Sequence, residues 1–190
     1  MASKALGIAM GLKKLINVER KFHDVDIADT PTSSGTVLNL SNIAQGDDSD
    51  DRTGNSIKAV SLTGRWSAEM HASATFTTFR MIIFRDNEQN GSDPTPANVL
   101  EQVSTRGNLN KDSYGRFTVL RDWYIGLHAD ARDAHVAKFY KELNHHIYYS
   151  GTTATDASNR KGALYVLMLS SEATNVPSIA GRIRLRYIDN

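Results

Sequence analysis

The sequence contains no cysteine, and this absence removes three interpretations at once. Disulfide scaffolds, thiolate metal sites and cysteine nucleophiles all need a thiol, so stability must come from an apolar core or from association. Long apolar runs are also missing. The longest, residues 163–169, is far shorter than the roughly 20 residues of a membrane span. Because the N-terminus also lacks the pattern of a secretory signal, we expect a soluble protein with no membrane partner.

Catalytic motifs are missing as well. The chain has no Gly-x-Ser-x-Gly nucleophile elbow, no Walker loop and no His-Glu-x-x-His zinc motif. His145 and His146 are its only adjacent histidines, and neighbouring strand residues face opposite sides, so the two rings cannot share one ligand. We therefore predict that the protein is not an enzyme.

Charge is distributed unevenly along the chain. Residues 1–21 contain five basic residues and one acidic residue, a net charge of +4, whereas the remainder contains 17 basic and 20 acidic residues, a net charge of −3. This asymmetry indicates that a polyanion would bind the leader rather than the body. The spacing of its apolar residues predicts a short helical arm over 1–21, followed by one domain over 22–190. Two alternatives stay open, a helix that only docks on other subunits and a solvated terminus.

From Phe22 onward the hydrophobic pattern has period two. Residues 61–70 alternate polar and apolar side chains without a break, as a strand with one solvated face does. A single internal helix is indicated, with Thr95 as its cap, Pro96 in its first turn and residues 97–103 continuing it. This pattern predicts an all-β fold, an eight-stranded antiparallel jelly-roll sandwich. The other strand candidates, separated by polar turn sequences, are 36–40, 75–85, 116–127, 136–143, 146–149, 164–169 and 179–188.

One loop concentrates negative charge. Four aspartates fall within the five positions 47–51, and Arg52 follows directly. Carboxylates this close repel one another unless water, a metal ion or an arginine compensates. The spacing does not match the ligand positions of an EF-hand. Two interpretations stay open. The loop binds a hard cation together with other segments, or it is solvated and Arg52 pairs with one or two of its carboxylates.

Three segments carry a resemblance to a known family. They are GTVLNLSNIAQGDDSDDRTGNSIKAVSLTGR at 35–65, FRMIIFRDNEQNGSDPTPANVLE at 79–101 and RFTVLRDW at 116–123. In this order they resemble the coat protein of satellite tobacco necrosis virus and its relatives. Coat proteins of small circular single-stranded DNA viruses are similar. The resemblance therefore implies a capsid subunit more directly than it implies an RNA genome.

The resemblance implies a virion component that assembles inside the host cell. Sixty identical jelly rolls would form the smallest icosahedral (T=1) shell, with the basic arm inside against a single-stranded RNA or DNA genome. The cations expected to bind this genome are Lys4, Lys13, Lys14, Arg20 and Lys21.

A second group of cations lies near the end of the chain. Arg182, Arg184 and Arg186 alternate with apolar residues, so on a strand they project to one face. We expect them either to contribute to nucleic-acid binding or to pair with carboxylates of neighbouring subunits.

The resemblance also implies calcium ions between subunits. One site would include Asp47 of the QGDD motif, near the threefold axis of the shell. A second site would combine Glu19 and Asp189 with loop oxygens around Thr53 and Ser56. The other three aspartates of the loop are expected to remain solvated.

A different function class stays in play, a carbohydrate-binding or receptor-binding β-sandwich. Such a module needs a shallow aromatic patch on its surface. Trp66 lies on the apolar side of its strand and Trp123 follows Asp122, so neither clearly supplies one.

Overall fold

A computed structural model describes residues 20–189 of the chain. Most of the predicted helical arm, with Lys4, Lys13, Lys14 and Glu19, lies outside these described residues. In residues 20–189, no helix has the length and apolar character that crossing a membrane would require.

Eight strands form two four-stranded antiparallel sheets. The first sheet has the order β1-β8-β3-β6 and the second the order β2-β7-β4-β5. Strands that follow one another in the chain mostly lie in different sheets, which is the connectivity of a jelly roll. The predicted fold is confirmed. The strands are β1 (Arg20–Asp29), β2 (Thr36–Asn39), β3 (Ser56–Glu69), β4 (Phe76–Asp86), β5 (Phe117–His128), β6 (Ala134–Tyr148), β7 (Ala163–Ser170) and β8 (Ser178–Asp189).

Two strand predictions were wrong, although the total of eight was right. The segment 20–29 was not among the candidates, because its inward-facing positions include Lys21 and His23 and so hide the apolar alternation. Conversely, the candidates 136–143 and 146–149 belong to one continuous strand, β6. The polar residues between them resemble a turn, yet β3 pairs along both halves and holds the backbone extended.

The internal helix is shorter than predicted. Helix α1 (Pro96–Val99) is a single turn, in which the backbone N–H and hydroxyl of Thr95 both donate to Asn98 Oδ1. Leu100 is already extended, with φ −115° and ψ 136°, and it forms a β-bridge with Leu109. Burial of Leu100 in this extended form ends the helix, so the predicted continuation to residue 103 was wrong.

The two sheets enclose the main core, and a smaller apolar cluster lies on the outer face of the second sheet. There the connection between β4 and β5, which includes α1, packs Val99 and Leu100 over Phe84, Tyr165 and Leu167. Strand β7 is therefore buried on both faces, which explains its uninterrupted apolar sequence. The second sheet is covered by its own chain, while the outer face of the first sheet carries exposed charged side chains.

Two loops meet over the second sheet through a pair of carboxyl groups. The Nδ2 atom of Asn39 lies 3.4 Å from Oδ1 of Asp93 and 3.2 Å from Oδ1 of Asp156. A second amide, that of Asn42, donates to the same oxygen of Asp156 at 2.7 Å. Burial raises the pKa of Asp93 to about 6, and its hydrogen bond to Asp156 and the negative charge there act in the same direction.

This pair predicts a measurable dependence of stability on pH. The unfolded Asp93 has a pKa of about 3.9, so between about pH 4 and 6 only the folded state holds the proton. The stability that the folded protein gains from holding this proton is fully present below the unfolded pKa of Asp93, and it is lost as pH rises through about 6. Asp93→Asn keeps an acceptor for Asn39 and removes the titration. We expect denaturant unfolding to show that this variant gains stability relative to wild type between pH 4 and 7.

The control for this measurement is Asp130→Asn, which changes an exposed aspartate far from the pair in sequence. Its difference from wild type should stay constant over the same pH range. A constant difference for Asp93→Asn as well would contradict the prediction.

Candidate nucleic-acid interface and candidate metal site

Strand β8 divides its side chains between the core and the outer face of the first sheet. Ile183, Leu185 and Tyr187 are each only 1% exposed. The arginines between them therefore project outward, which confirms the predicted alternation.

Two of these arginines form ion pairs within their own chain. Strand β1 places Asp26 opposite Arg182 and Asp24 opposite Arg184. Both pairs are bidentate, with contacts of 2.9 Å from Arg182 Nη2 to Asp26 Oδ2 and 2.7 Å from Arg184 Nε to Asp24 Oδ1. Hydrogen bonds from the arginines lower the pKa of both aspartates. Arg182 and Arg184 are therefore neutralised within their own chain, and pairing with neighbouring subunits stays a prediction.

The remaining cations of this face come from three strands. In the strand register, Arg65 of β3 lies between Arg182 of β8 and Lys138 of β6. Arg186 approaches the hydroxyl of Thr63 at 3.3 Å. Together they surround a surface concavity of about 630 Å³, here called the basic hollow, which five cations and a single carboxylate line. Its lining residues are Asp24, Thr63, Gly64, Arg65, Lys138, Phe139, Tyr140, Arg182, Arg184 and Arg186.

Sequence reasoning missed two cations and one aromatic side chain of the basic hollow. The alternation of residues 61–70 already placed Arg65 on the outer face of its strand. The pairing of that strand with β8 and β6 was not visible, so Arg65, Lys138 and Tyr140 could not be assigned to one surface. Tyr140 is 59% exposed, so its ring is available to a ligand at the border of the basic hollow.

The first two residues of β1 belong to different faces. Arg20 is exposed, whereas the side chain of Lys21 is 5% exposed and its Nζ atom lies 3.3 Å from Oδ2 of Asp189. The same Nζ atom donates to the carbonyl oxygen of Asp48 at 3.3 Å. Lys21 is a buried ion-pair partner and not a surface cation, which corrects its predicted role in nucleic-acid binding.

Part of the second predicted metal site, which does not include Asp47, is brought together. The backbone N–H and the hydroxyl of Thr53 donate to Oδ2 of Asp189 at 2.7 and 2.9 Å. Ser56 precedes Ile57, the residue that pairs with Asp189 in the sheet. Asp47 is exposed, and within residues 20–189 no hydrogen bond joins it to this group. Across the same residues no three His, Asp or Glu side chains converge as a metal site would require.

Asp189 is ionised, and only one of its two carboxylate oxygens accepts hydrogen bonds from the described residues. Burial raises its pKa, but the hydrogen bonds from Thr53 and the Lys21 ammonium outweigh this effect, so the pKa lies below the usual range. All of these donors reach Oδ2. The other oxygen, Oδ1, is buried without a hydrogen-bond partner among the described residues.

The acidic loop (residues 47–51) is held in place by Arg52, which does not pair with its aspartates. The Arg52 side chain is fully buried, and its guanidinium donates to the carbonyl oxygens of Ile43 at 3.2 Å, of Gly54 at 2.5 Å and of Gly151. It also lies 4.2 Å from the centre of the Tyr149 ring. The expectation that Arg52 pairs with loop carboxylates was wrong, because its planar fork is used for backbone acceptors of three segments.

We predict that Arg52→Lys and Arg52→Met both lower the free energy of unfolding. A lysine cannot reach all three carbonyls with one ammonium, and methionine satisfies none, so buried acceptors lose their donors at about 1–3 kcal/mol each. Thermal melts should show the larger loss for methionine. The matched control is Arg132→Lys at an exposed position, which should melt like the wild type. An unchanged melting temperature for both Arg52 variants would contradict this role.

Both tryptophans lie against the core. Trp66 is 2% exposed and packs edge-on against Trp123, with ring centroids 5.7 Å apart. Trp123 is partly buried and also contacts Phe139 at 5.2 Å between centroids. Neither indole forms the shallow surface patch that the carbohydrate-binding alternative needs.

The strand order and the cation-lined sheet face define a jelly-roll protein of the class that includes viral capsid subunits. The sequence profile of the satellite tobacco necrosis virus coat protein family matches residues 9–190. The chain belongs to this family of coat proteins, and the resemblance stated from the sequence is confirmed.

Individual relatives agree with the family match. The coat protein of satellite tobacco necrosis virus 2 is 32% identical over 168 residues, which cover 87% of this chain and 84% of that protein. The capsid protein of satellite tobacco necrosis virus 1 is 32% identical over 170 residues, covering 83% and 82%. These relatives are structural proteins of virions.

Among solved structures, that of broad bean stain virus is similar at 10% identity, with a TM-score of 0.43 and coverage of 91% of this chain and 89% of that chain. The jelly-roll assignment rests on the strand order of the chain itself.

Proposed function

We propose that this chain is the sole type of subunit in a closed T=1 icosahedral shell of sixty copies that encloses a single-stranded nucleic acid genome. The observation that carries the proposal is the match to a coat protein family over residues 9–190. Closed symmetry lets identical chains cover one another's strand edges. The fold supports this role, because β1, β6, β2 and β5 all lie at sheet edges.

Nucleic acid is bound in this proposal through its phosphates and without sequence readout. A shell must accept every stretch of its genome, so backbone charge is the suitable target. The cations assigned to it are Lys4, Lys13, Lys14 and Arg20 of the N-terminal region. Arg186 is a second contributor. Arg182 and Arg184 contribute less, because their aspartate partners neutralise part of their charge.

Calcium is the metal that the family resemblance implies, and the support for it within residues 20–189 is one carboxylate, because no three acidic side chains converge there. Asp189 offers an ionised carboxylate whose Oδ1 has no partner among the described residues, and Thr53 contributes oxygen atoms beside it. Ser56 and Glu19 would complete this site, and Asp47 would hold a separate calcium ion near the threefold axis. Hard oxygen donors are the ligands that calcium prefers. A bound calcium ion would join carboxylates of different subunits that otherwise repel.

Assembly is the first test of the proposed function. We expect the purified full chain to form uniform spheres in electron micrographs and to elute as a single large species in size-exclusion chromatography. The protein should be studied across pH and salt, with and without calcium and nucleic acid. A chain that stays monomeric at high concentration under all of these conditions would overturn the capsid function.

Calcium is tested by comparing Asp47→Asn with the neighbouring Asp50→Asn, which changes an equally exposed loop carboxylate outside the assigned ligand set. Chelation should swell or dissociate wild-type shells, because unscreened carboxylates then face one another across the interface. The Asp47 variant should respond weakly to both chelator and calcium in light-scattering measurements, and the Asp50 variant should respond like the wild type. Identical behaviour of all three proteins would remove the metal assignment and leave the shell intact.

A further inference from the structure

The basic hollow on the first sheet combines unpaired cations with an exposed aromatic ring. We propose that it binds a short single-stranded stretch of nucleic acid, with phosphates at Arg65, Lys138 and Arg186 and one base stacked on Tyr140. This inference rests on the proposed enclosure of a genome and adds to it a set of binding residues other than the N-terminal cations, together with a preference for single strands.

The cations of the basic hollow differ in what compensates them. Arg182 and Arg184 hold bidentate partners on β1. Within residues 20–189, by contrast, no carboxylate forms an ion pair with Arg65, Lys138 or Arg186, and all three side chains are exposed. Like charges held close together favour an anionic ligand that relieves their repulsion. A phosphate backbone supplies such an anion at regular intervals.

The spacing of the cations suits an extended ligand. Arg65 and Lys138 are cross-strand neighbours, and adjacent strands lie about 4.8 Å apart. Arg186 is four residues from Arg182, which faces Arg65, so it lies about 13 Å further along β8. A chain of linked phosphates can contact all three side chains along this length of the sheet.

Tyr140 decides between a single strand and a duplex. It is two residues from Lys138 on β6 and faces Thr63 across the strand pair, so its ring borders the same hollow. Aromatic rings beside a cationic groove are the usual platform for single strands, and stacking of one base contributes about 1–3 kcal/mol. A duplex keeps its base faces stacked internally and cannot use the ring.

The acidic loop of a second copy is the other anionic partner that the chain offers. Its sequence, Asp-Asp-Ser-Asp-Asp, complements the charge of the basic hollow but contains no apolar or aromatic side chain to cover Tyr140. The aromatic ring therefore favours nucleic acid over protein as the occupant.

The test uses the full chain, kept unassembled at low concentration, and fluorescence anisotropy with a labelled single strand of about twelve nucleotides and a duplex of equal length. Tyr140→Ala should weaken single-strand binding at least fivefold and leave duplex binding unchanged. Tyr140→Phe should bind the single strand as wild type does.

Arg65→Gln with Lys138→Gln should flatten the log-log salt dependence for single strands by about 1.4, because each phosphate that is no longer neutralised removes about 0.7 from the slope. Lys111→Gln, an exposed cation paired with Glu101, serves as the control and should change neither.

Three outcomes would overturn the inference. One is that Tyr140→Ala weakens single strand and duplex equally, or weakens neither. Another is that replacing Lys4, Lys13, Lys14 and Arg20 by glutamine abolishes binding while the variants of the basic hollow bind normally, which confines nucleic acid to the N-terminal cations and leaves the proposed function standing. The last is that the variants of the basic hollow bind normally but no longer form shells, which identifies the occupant as a second copy. If wild-type protein binds neither oligonucleotide, the proposed genome binding itself fails.

Discussion

The buried guanidinium of Arg52 is the interaction on which the acidic loop and the contact between Thr53 and Asp189 depend. Within residues 20–189 no carboxylate hydrogen-bonds to it; carbonyl oxygens from the β2–β3 connection and from Gly151 accept its N–H groups, the face of Tyr149 lies against it, and the negative charge of Asp189 adds to its stabilisation. Arg52 fixes the backbone next to the acidic loop in this way, so the loop holds its position without ion pairs from its aspartates to the rest of the chain. The hydroxyl of Tyr187 adds a tie to the backbone of Asp50 and Asp51. Thr53, directly after Arg52, is thereby placed against Asp189.

The two sheets have different surroundings, and this difference assigns them different tasks. The second sheet has its outer face covered by the long β4–β5 connection, so its strands are apolar on both sides. The first sheet has no such cover among residues 20–189, and its outer face is built from charged cross-strand pairs. Those pairs keep β1 in register with β8 and reduce the positive charge on that side of the sheet. The uncompensated cations are left on β3, β6 and the end of β8.

Alternation in the sequence was sufficient to predict most strands and the outward direction of the β8 arginines. It failed where an inward position is polar for a tertiary reason, as with Lys21, whose ammonium is matched by Asp189 of a strand distant in sequence. The helix was overextended for a similar reason, because Leu100 gains burial as an extended residue. The basic hollow depends on register among three strands distant in sequence, and a single sequence does not reveal register.

The resemblance to a coat protein family supplied what periodicity could not, since it brought Thr53 and Asp189 into one predicted group. The structure places them in direct contact. It also shows that Lys21 competes for the same carboxylate, which no motif indicated. Family likeness therefore identified the location of this group, whereas its charge balance depends on side chains specific to the fold.

The position of β8 also determines when the first sheet can form during synthesis. This strand is the last of the eight to be translated, yet it lies between β1 and β3. Neither neighbour can complete its pairing until residue 189 has emerged from the ribosome, so a shorter nascent chain has no complete first sheet. The surface assembled from β8, β3 and β6 is then absent as well. If that surface binds nucleic acid as proposed, a nascent coat protein cannot use it to bind its own messenger RNA until all eight strands have been synthesised.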